Sequence, residues 1–335
     1  MTERIWSHAR SRYLRVFAPA AGISPRGKSR RLQRAVSDFG IEHSFAAGCK
    51  RLKEHYGFEL NPSAVRTTTL RHARRAAGAL QKEYAGSFRS LPKKGPSHVV
   101  AQADGTMICT VEPGKRKAKR PRQWREMRLV AAQEQGRVEA VFGATFGDTA
   151  QTGQRWGHCA RQAGWALSNH IHVVGDGAEW IRLQSQEVFG DQHSFLIDFF
   201  HLSEYLAAAS ETCGPKSPKR WLKTQQNRLK RGAAALVMKA LEPNLEPEAI
   251  ADALSPVRCC HRYLRNRLDC VDYPRAIKAE LPIGSGLIES GHRHVLQARL
   301  KRPGTAWLQE NADDLAQLRV IRANNLWDDF WKAAA

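Results

Sequence analysis

An α/β fold is predicted for the central part of this chain: a mixed sheet laid down in the order β-β-β-α-β-α-β-α, interrupted by an all-helical insertion and preceded by a helical helix-turn-helix domain. Three observations predict it. After residue 97 basic, helix-patterned sequence gives way to three β-branched runs with short connections. Two more apolar runs, HIHVVGDG and HSFLIDFFH, then alternate with helical patterns. Between residues 214 and 280 no strand-like run occurs, only helical pattern punctuated by proline. The division that follows is 1–96 for the N-terminal region, 97–213 with 281–332 for the sheet domain, and 214–280 for the insertion.

The first region holds two short helices around a turn within 44–76. Ser44 is placed to cap the first, Phe45, Cys49, Leu52 and Tyr56 recur at helical spacing, and Gly57 supplies a left-handed stop. Asn61 caps the second, with Pro62 in its first turn, where a missing N–H costs nothing. Arg66, Thr67, Arg71, Arg74 and Arg75 follow on that helix as candidate contacts to a DNA groove and its phosphates. LPKKGPS, Leu91–Ser97, is a linker by composition.

Strands are expected over His98–Glu112, Trp124–Glu134 and Arg137–Gly147, as an antiparallel meander. Lys115, Arg116, Lys117, Lys119 and Arg120 lie between the first two, in a basic run suited to tracking phosphates. A helix over Gln151–Leu167, a strand over His170–Gly177, a helix in AEWIRLQSQEVFG, a strand over His193–His201 and a helix in LSEYLAAAS complete the series. That succession is the one found in RNase H-like folds. After the insertion, glycines in LPIGSGLIESG bend the chain before a helix running from about Leu287 to Leu300.

Bulk properties narrow the partners. The net charge is +21, with 53 lysines and arginines against 32 acids, and residues 1–97 alone carry +14 of it. A polyanion is the expected partner, and the basic residues do not lie opposite a wide apolar face as they would on a membrane-surface helix. No apolar run reaches eighteen residues and the N-terminus lacks a signal-peptide core, so a cytoplasmic protein is expected. Seven cysteines without CxxC spacing fit a reducing compartment, and Cys259-Cys260-His261 has no second ligand pair at zinc spacing.

Against that charge, two acids stand at strand ends, Asp104 in QADGT and Asp176 in VVGDG. If the first and fourth strands are neighbours, the two carboxylates face each other and a divalent cation between them relieves the repulsion. The glycines after them, Gly105 and Gly177, would leave room for a substrate phosphate. Glu289 supplies a third acid, with His292 and Arg293 three and four residues on, and Arg299, Lys301 and Arg302 extend the same face. Glu280 is the nearest other acid.

At these residues the sequence resembles the DDE transposases of bacterial insertion sequences, particularly the ISKra-type and Mutator-related members. The resemblance runs from the helix-turn-helix through QADGT, GDGAEWI, IDFFH and GSGLIES to KRPGTAW. It implies Asp104, Asp176 and Glu289 as a catalytic metal-binding triad holding two Mg2+ ions, with Mn2+ as a substitute. Asp198 and His201 match a D-x-x-H signature near the active site, and Trp180 matches an aromatic after the second Asp. The implied activity is cleavage of transposon terminal inverted repeats and strand transfer into target DNA by two-metal phosphoryl transfer. The implied partners are double-stranded DNA and further copies of the chain, a homodimer or larger synaptic complex, at the bacterial nucleoid. A catalytically inactive DNA-binding regulator and an RNase H-like nuclease are the alternatives.

Overall fold

The structure, a computed structural model, describes residues 5–14, 27–86, 90–114 and 121–333. Lys115, Arg116, Lys117, Lys119 and Arg120 lie outside the described residues. Two compact units are formed, one from Met1–Leu80, Val111–Arg120 and Val295–Ala335, the other from Gln81–Thr110 and Pro121–His294. No helix among the described residues is long and apolar enough to cross a membrane.

The first unit is built on α1 (Arg30–Glu42), α2 (Phe45–Tyr56) and the N-terminal part of α3 (Pro62–Ala85). The caps expected from sequence form. Ser44 accepts from the Ala47 N–H at 3.2 Å, Asn61 from the Ala64 N–H at 2.7 Å, and Gly57 takes φ 67°. Val36, Leu52 and Val65 form the small core. At Gly40 a Cβ would lie 2.0 Å from Thr69 Oγ1, so α1 and α3 can approach this closely only at glycine.

The C-terminal carbonyls of α1, which no intrahelical N–H reaches, are bound by three arginines from the last part of the chain. Arg299 Nε donates to Gly40 O at 3.0 Å, Arg302 Nη2 to Glu42 O at 2.7 Å, and Arg319 Nη1 to Ile41 O. Cations here also complement the negative end of the helix dipole. Arg299 is 1% exposed, its guanidinium 4.7 Å from the Phe45 ring centre and 4.8 Å from that of Trp307. Burial, with Arg302 and Arg319 adding to it, brings Arg299 down to about 10, so it stays a cation. These contacts correct the sequence reading of Arg299 and Arg302 as phosphate-reaching groups. Lys301 is exposed.

The second unit is centred on a five-stranded mixed sheet of β1 (His98–Val111), β2 (Arg122–Glu134), β3 (Ala140–Thr145), β4 (His170–Gly175) and β5 (His193–Ile197), in the order β3-β2-β1-β4-β5. β2 and β3 are antiparallel, whereas β1 with β4 and β4 with β5 are parallel. Val99, Ala101 and Ala103 alternate onto the face covered by α4 (Thr149–Gln162) and α5 (Glu179–Phe189), with Trp156, Cys159 and Ile181. Val100 and Val174 belong to the core of the opposite face.

On that opposite face pack α6 (Phe199–Cys213) and the helices of the inserted segment: α7 (Pro218–Lys230), α8 (Ala234–Leu241), α9 (Pro256–Arg265) and α10 (Tyr273–Lys278). Leu229, Val237, Leu241, Val257 and Leu264 join Leu196, Phe199 and Leu202 in one continuous core. Two local expectations change. The strand expected to run to His201 stops at Ile197, because the Asp198 carboxylate accepts from the N–H groups of Phe200 and His201 and starts α6 there. The helix after GSG is α11 (Gly286–Gly291), continuing as a π-helical turn over His292–Gln297 and a last α turn over Ala298–Leu300.

A buried and a half-buried histidine, His72 and His170, give the fold an acid limit. Burial, then Arg75 and Arg71, lowers His72 to about 4, and burial, then Arg275, lowers His170 to about 4. Both folded values lie below the ordinary 6.5, so the unfolded chain binds more protons in between. Their contribution is therefore complete above that ordinary value and is lost as pH falls towards the folded one. The urea midpoint is expected to drop across this window, and a His72→Gln, His170→Gln double variant to show a shallower drop in the same titration.

Candidate active site

The parallel pairing of β1 with β4 sends both strands toward the same edge of the sheet, with Asp104 still inside β1 and Asp176 just past the end of β4. The register runs from His98 opposite His170 to Gln102 opposite Val174, and two residues beyond that last pair stand Asp104 and Asp176. Neighbouring strands lie about 4.8 Å apart. Alternation puts Asp104 on the same face as Val100 and Gln102. Its side chain is 42% exposed and its Oδ1 accepts from the Gly105 N–H at 2.7 Å. Asp176 is half-buried, with Oδ1 accepting from the Ala178 N–H at 2.9 Å.

Glu289 arrives through a turn that two buried polar side chains hold against the sheet. Gln102, 1% exposed, donates from Nε2 to Gly284 O at 3.1 Å and accepts at Oε1 from the Ile288 N–H at 2.9 Å. The Ile288 amide also reaches the N-cap carbonyl Ser285 O at 3.1 Å, so Gln102 adds a second acceptor in the first turn of α11. Asp198, 2% exposed, caps α6 with Oδ1, while Oδ2 accepts from the Ser285 N–H at 2.8 Å and from the Ser285 hydroxyl. Ser285 Oγ also stands 3.3 Å from Glu289 Oε1. Glu289 itself is exposed. One turn on, His292 is 3% exposed and its Nε2 lies 3.3 Å from Asp104 Oδ2. The approach is close enough for charge contact but outside hydrogen-bond geometry, and both ring nitrogens of His292 lack a hydrogen-bond partner.

Of these side chains Asp104 and His292 approach one another; Glu289 lies one turn before His292 on α11, and Asp176 follows β4, the strand beside β1. Among the described residues no group of three or more His, Cys, Asp or Glu side chains is placed to hold a metal ion. The donor chemistry nonetheless suits a hard divalent cation: carboxylate oxygens, with Glu289 exposed and Asp104 42% exposed, and beside Asp104 a buried imidazole whose ring nitrogens make no hydrogen bond. Glu280 stands at the other end of the sheet. The adjacent Ala279 O accepts from Gln135, whose Oε1 meets His98, six residues or about 20 Å up β1 from Asp104.

The remaining sequence candidates fall in different places. His201 lies against Tyr205 and Tyr263, with Nδ1 3.7 Å from Glu204. Trp180 stacks under the Arg128 guanidinium at 4.9 Å, and Arg128 is held by Glu126 at 3.0 Å. Arg293 is exposed. In the first unit Arg66 and Thr67 are exposed on α3, Arg71 bonds Gln33 at 2.6 Å, Arg74 pairs with Asp314 at 3.4 Å, and Arg75 lies 3.8 Å over Phe330. The space beside the two glycines is also taken. A Cβ on Gly105 would lie 2.3 Å from Glu126 Oε1, and one on Gly177, at φ 84°, 2.5 Å from Arg267 Nε. These glycines make room for protein side chains, not for a phosphate.

Residues 163–328 match the model of an uncharacterised protein family, UPF0236. The UPF0236-like region takes in Asp176, Asp198, Ser285, Glu289 and His292 and leaves out β1 with Asp104. No curated protein matches the chain.

Sequence reasoning passed over Gln102, Ser285, Tyr263 and Arg267. Gln102 carried a signal, a polar residue amid the apolar run that leads to Asp104. The two α9-side residues carried none, since their partners are 87 and 90 residues away. Asp198→Ala would leave the Phe200, His201 and Ser285 amides without acceptors and is expected to cost about 2–4 kcal/mol in urea unfolding. Asp198→Asn should cost less, because one oxygen keeps capping α6 while its NH2 faces the Ser285 donors.

Proposed function

We propose that this chain is a DNA transposase with an RNase H-like catalytic domain, binding transposon terminal inverted repeats and catalysing metal-dependent strand cleavage and strand transfer. The observation that carries the reading is the parallel register of β1 with β4, which ends two residues before Asp104 and Asp176, together with the approach of His292 to Asp104 at 3.3 Å. Support comes from the strand order, from the transposase-like motifs in sequence, and from a net charge of +21 that favours a polyanionic substrate.

Asp104, Asp176 and Glu289 would hold two Mg2+ ions, Asp104 serving both. When bound, such ions polarise the phosphodiester and ease charge on the attacking and departing oxygens. The chain's own part is positional. Gln102 and Asp198 fix the turn before α11 so that Glu289 is presented at the end of the sheet, and His292 packs against Asp104. Exposed α3 residues such as Arg66 would contribute to repeat binding, working as a dimer or larger assembly on two DNA ends.

The test uses labelled DNA carrying the inverted repeats that flank the coding region. With Mg2+ the native chain should release a strand and form a joined product, while Asp176→Asn should drop cleavage to background and still retain the DNA. Retention should weaken by roughly 10³-fold or more between about 50 and 200 mM salt, as phosphate contacts require. Binding without cleavage would favour the regulator, and nicks without joined product the nuclease.

A further inference from the structure

We infer that the inserted helical segment is a positioning device for the second carboxylate, with Tyr263 and Arg267 as its positioning residues; this rests on reading Asp176 as an ion ligand. Both reach the Asp176-Gly177 turn through its backbone carbonyls. The Tyr263 hydroxyl donates to Asp176 O at 2.6 Å. Arg267 donates to Gly177 O twice, from Nε at 3.2 Å and from Nη2 at 2.8 Å. The two side chains also brace each other, the guanidinium lying 4.3 Å over the Tyr263 ring while its Nη1 donates to Tyr263 O at 3.2 Å.

The grip is specific in three respects. Tyr263 is 8% exposed, stacked on Tyr205 with 4.4 Å between ring centres and edged by His201, so its ring has one place to sit. Its hydroxyl is aimed at a main-chain oxygen, Asp176 O, which can only accept. Gly177 has a backbone conformation that side chains rarely adopt and no space for one, because Arg267 and Ile197 occupy it. Packing alone would require the ring of Tyr263 but not its hydroxyl, nor a guanidinium aimed at a carbonyl next to the acid. With Asp176 O and Gly177 O both held, and the Asp176 carboxylate bonded to its own turn at Ala178 N, the free rotation left to the acid is small. His201, four residues into the DFFH stretch, acts at one remove, as part of the aromatic wall behind Tyr263.

The test is Mn2+ binding to the full chain, followed by the loss of the free-ion electron paramagnetic resonance signal, beside thermal melting without metal. Tyr263→Phe removes one oxygen, and Arg267→Met keeps the stem over the ring but removes the donors. Each is expected to weaken Mn2+ binding about tenfold or more, the usual loss when a ligand's supporting shell is cut. Val237→Ala, a core truncation in the same segment, should lower the melting temperature and leave Mn2+ affinity unchanged. Native affinity in both Tyr263→Phe and Arg267→Met, or an equal loss in Val237→Ala, overturns the inference while leaving the proposed function standing. If Asp176→Asn binds Mn2+ as the native chain does, the ion-ligand reading itself falls, and this inference with it.

Discussion

Two buried side chains, Gln102 and Asp198, carry the hydrogen bonds on which the candidate site depends. One belongs to β1 and the other to the first position after β5, and both close on the Gly284-to-Ile288 turn. An apolar residue of similar size at 198 would leave main-chain amides unpaired, the buried Ser285 N–H among them, and one at 102 would take the donor from Gly284 O. The polar network is small, but each member has a partner, and it converts a distant stretch of sequence into a fixed neighbour of the strand ends. Glu289 needs no buried anchor of its own because the turn before it is anchored.

Charge follows a different logic in the two halves of the chain. The count of +21 reads as surface available to a polyanion, yet part of it is committed to contacts within the chain. Arg299, Arg302 and Arg319 close the C-terminal end of α1, Arg75 lies on Phe330, Arg74 meets Asp314, and Arg267 holds Gly177. Arginine suits these posts because its planar donor fork can satisfy a carbonyl while its face rests on an aromatic ring. Net charge therefore counts all the cations, and internal contacts decide which of them remain free of the protein's own acceptors.

Much of the fold was legible beforehand, for local reasons. Caps at Ser44, Asn61 and Gly57 are read from residues that can satisfy or release a few amides within one turn, and they form as expected. The five strands appear near their expected places because β-branched, apolar runs bounded by glycine and proline have few other outcomes. The strand assigned through His201 failed on the same scale of interaction: Asp198 captures two amides ahead of it and ends extended structure four residues early. Hydrophobic pattern alone cannot weigh that capture, since FLIDFFH is apolar enough for either state.

What the sequence by itself determined is the order of elements, the excess of basic charge and the identity of the acids at strand ends, all properties that depend on neighbours a few residues away. Tertiary structure alone decided that β1 and β4 are parallel neighbours, that His292 meets Asp104, that Arg299 is buried, and that Tyr263 and Arg267 hold the Asp176 turn. These rest on strand register and on contacts between residues as much as 259 positions apart. No local preference encodes such pairings; they exist only once the chain has closed on itself and each buried donor has had to find an acceptor.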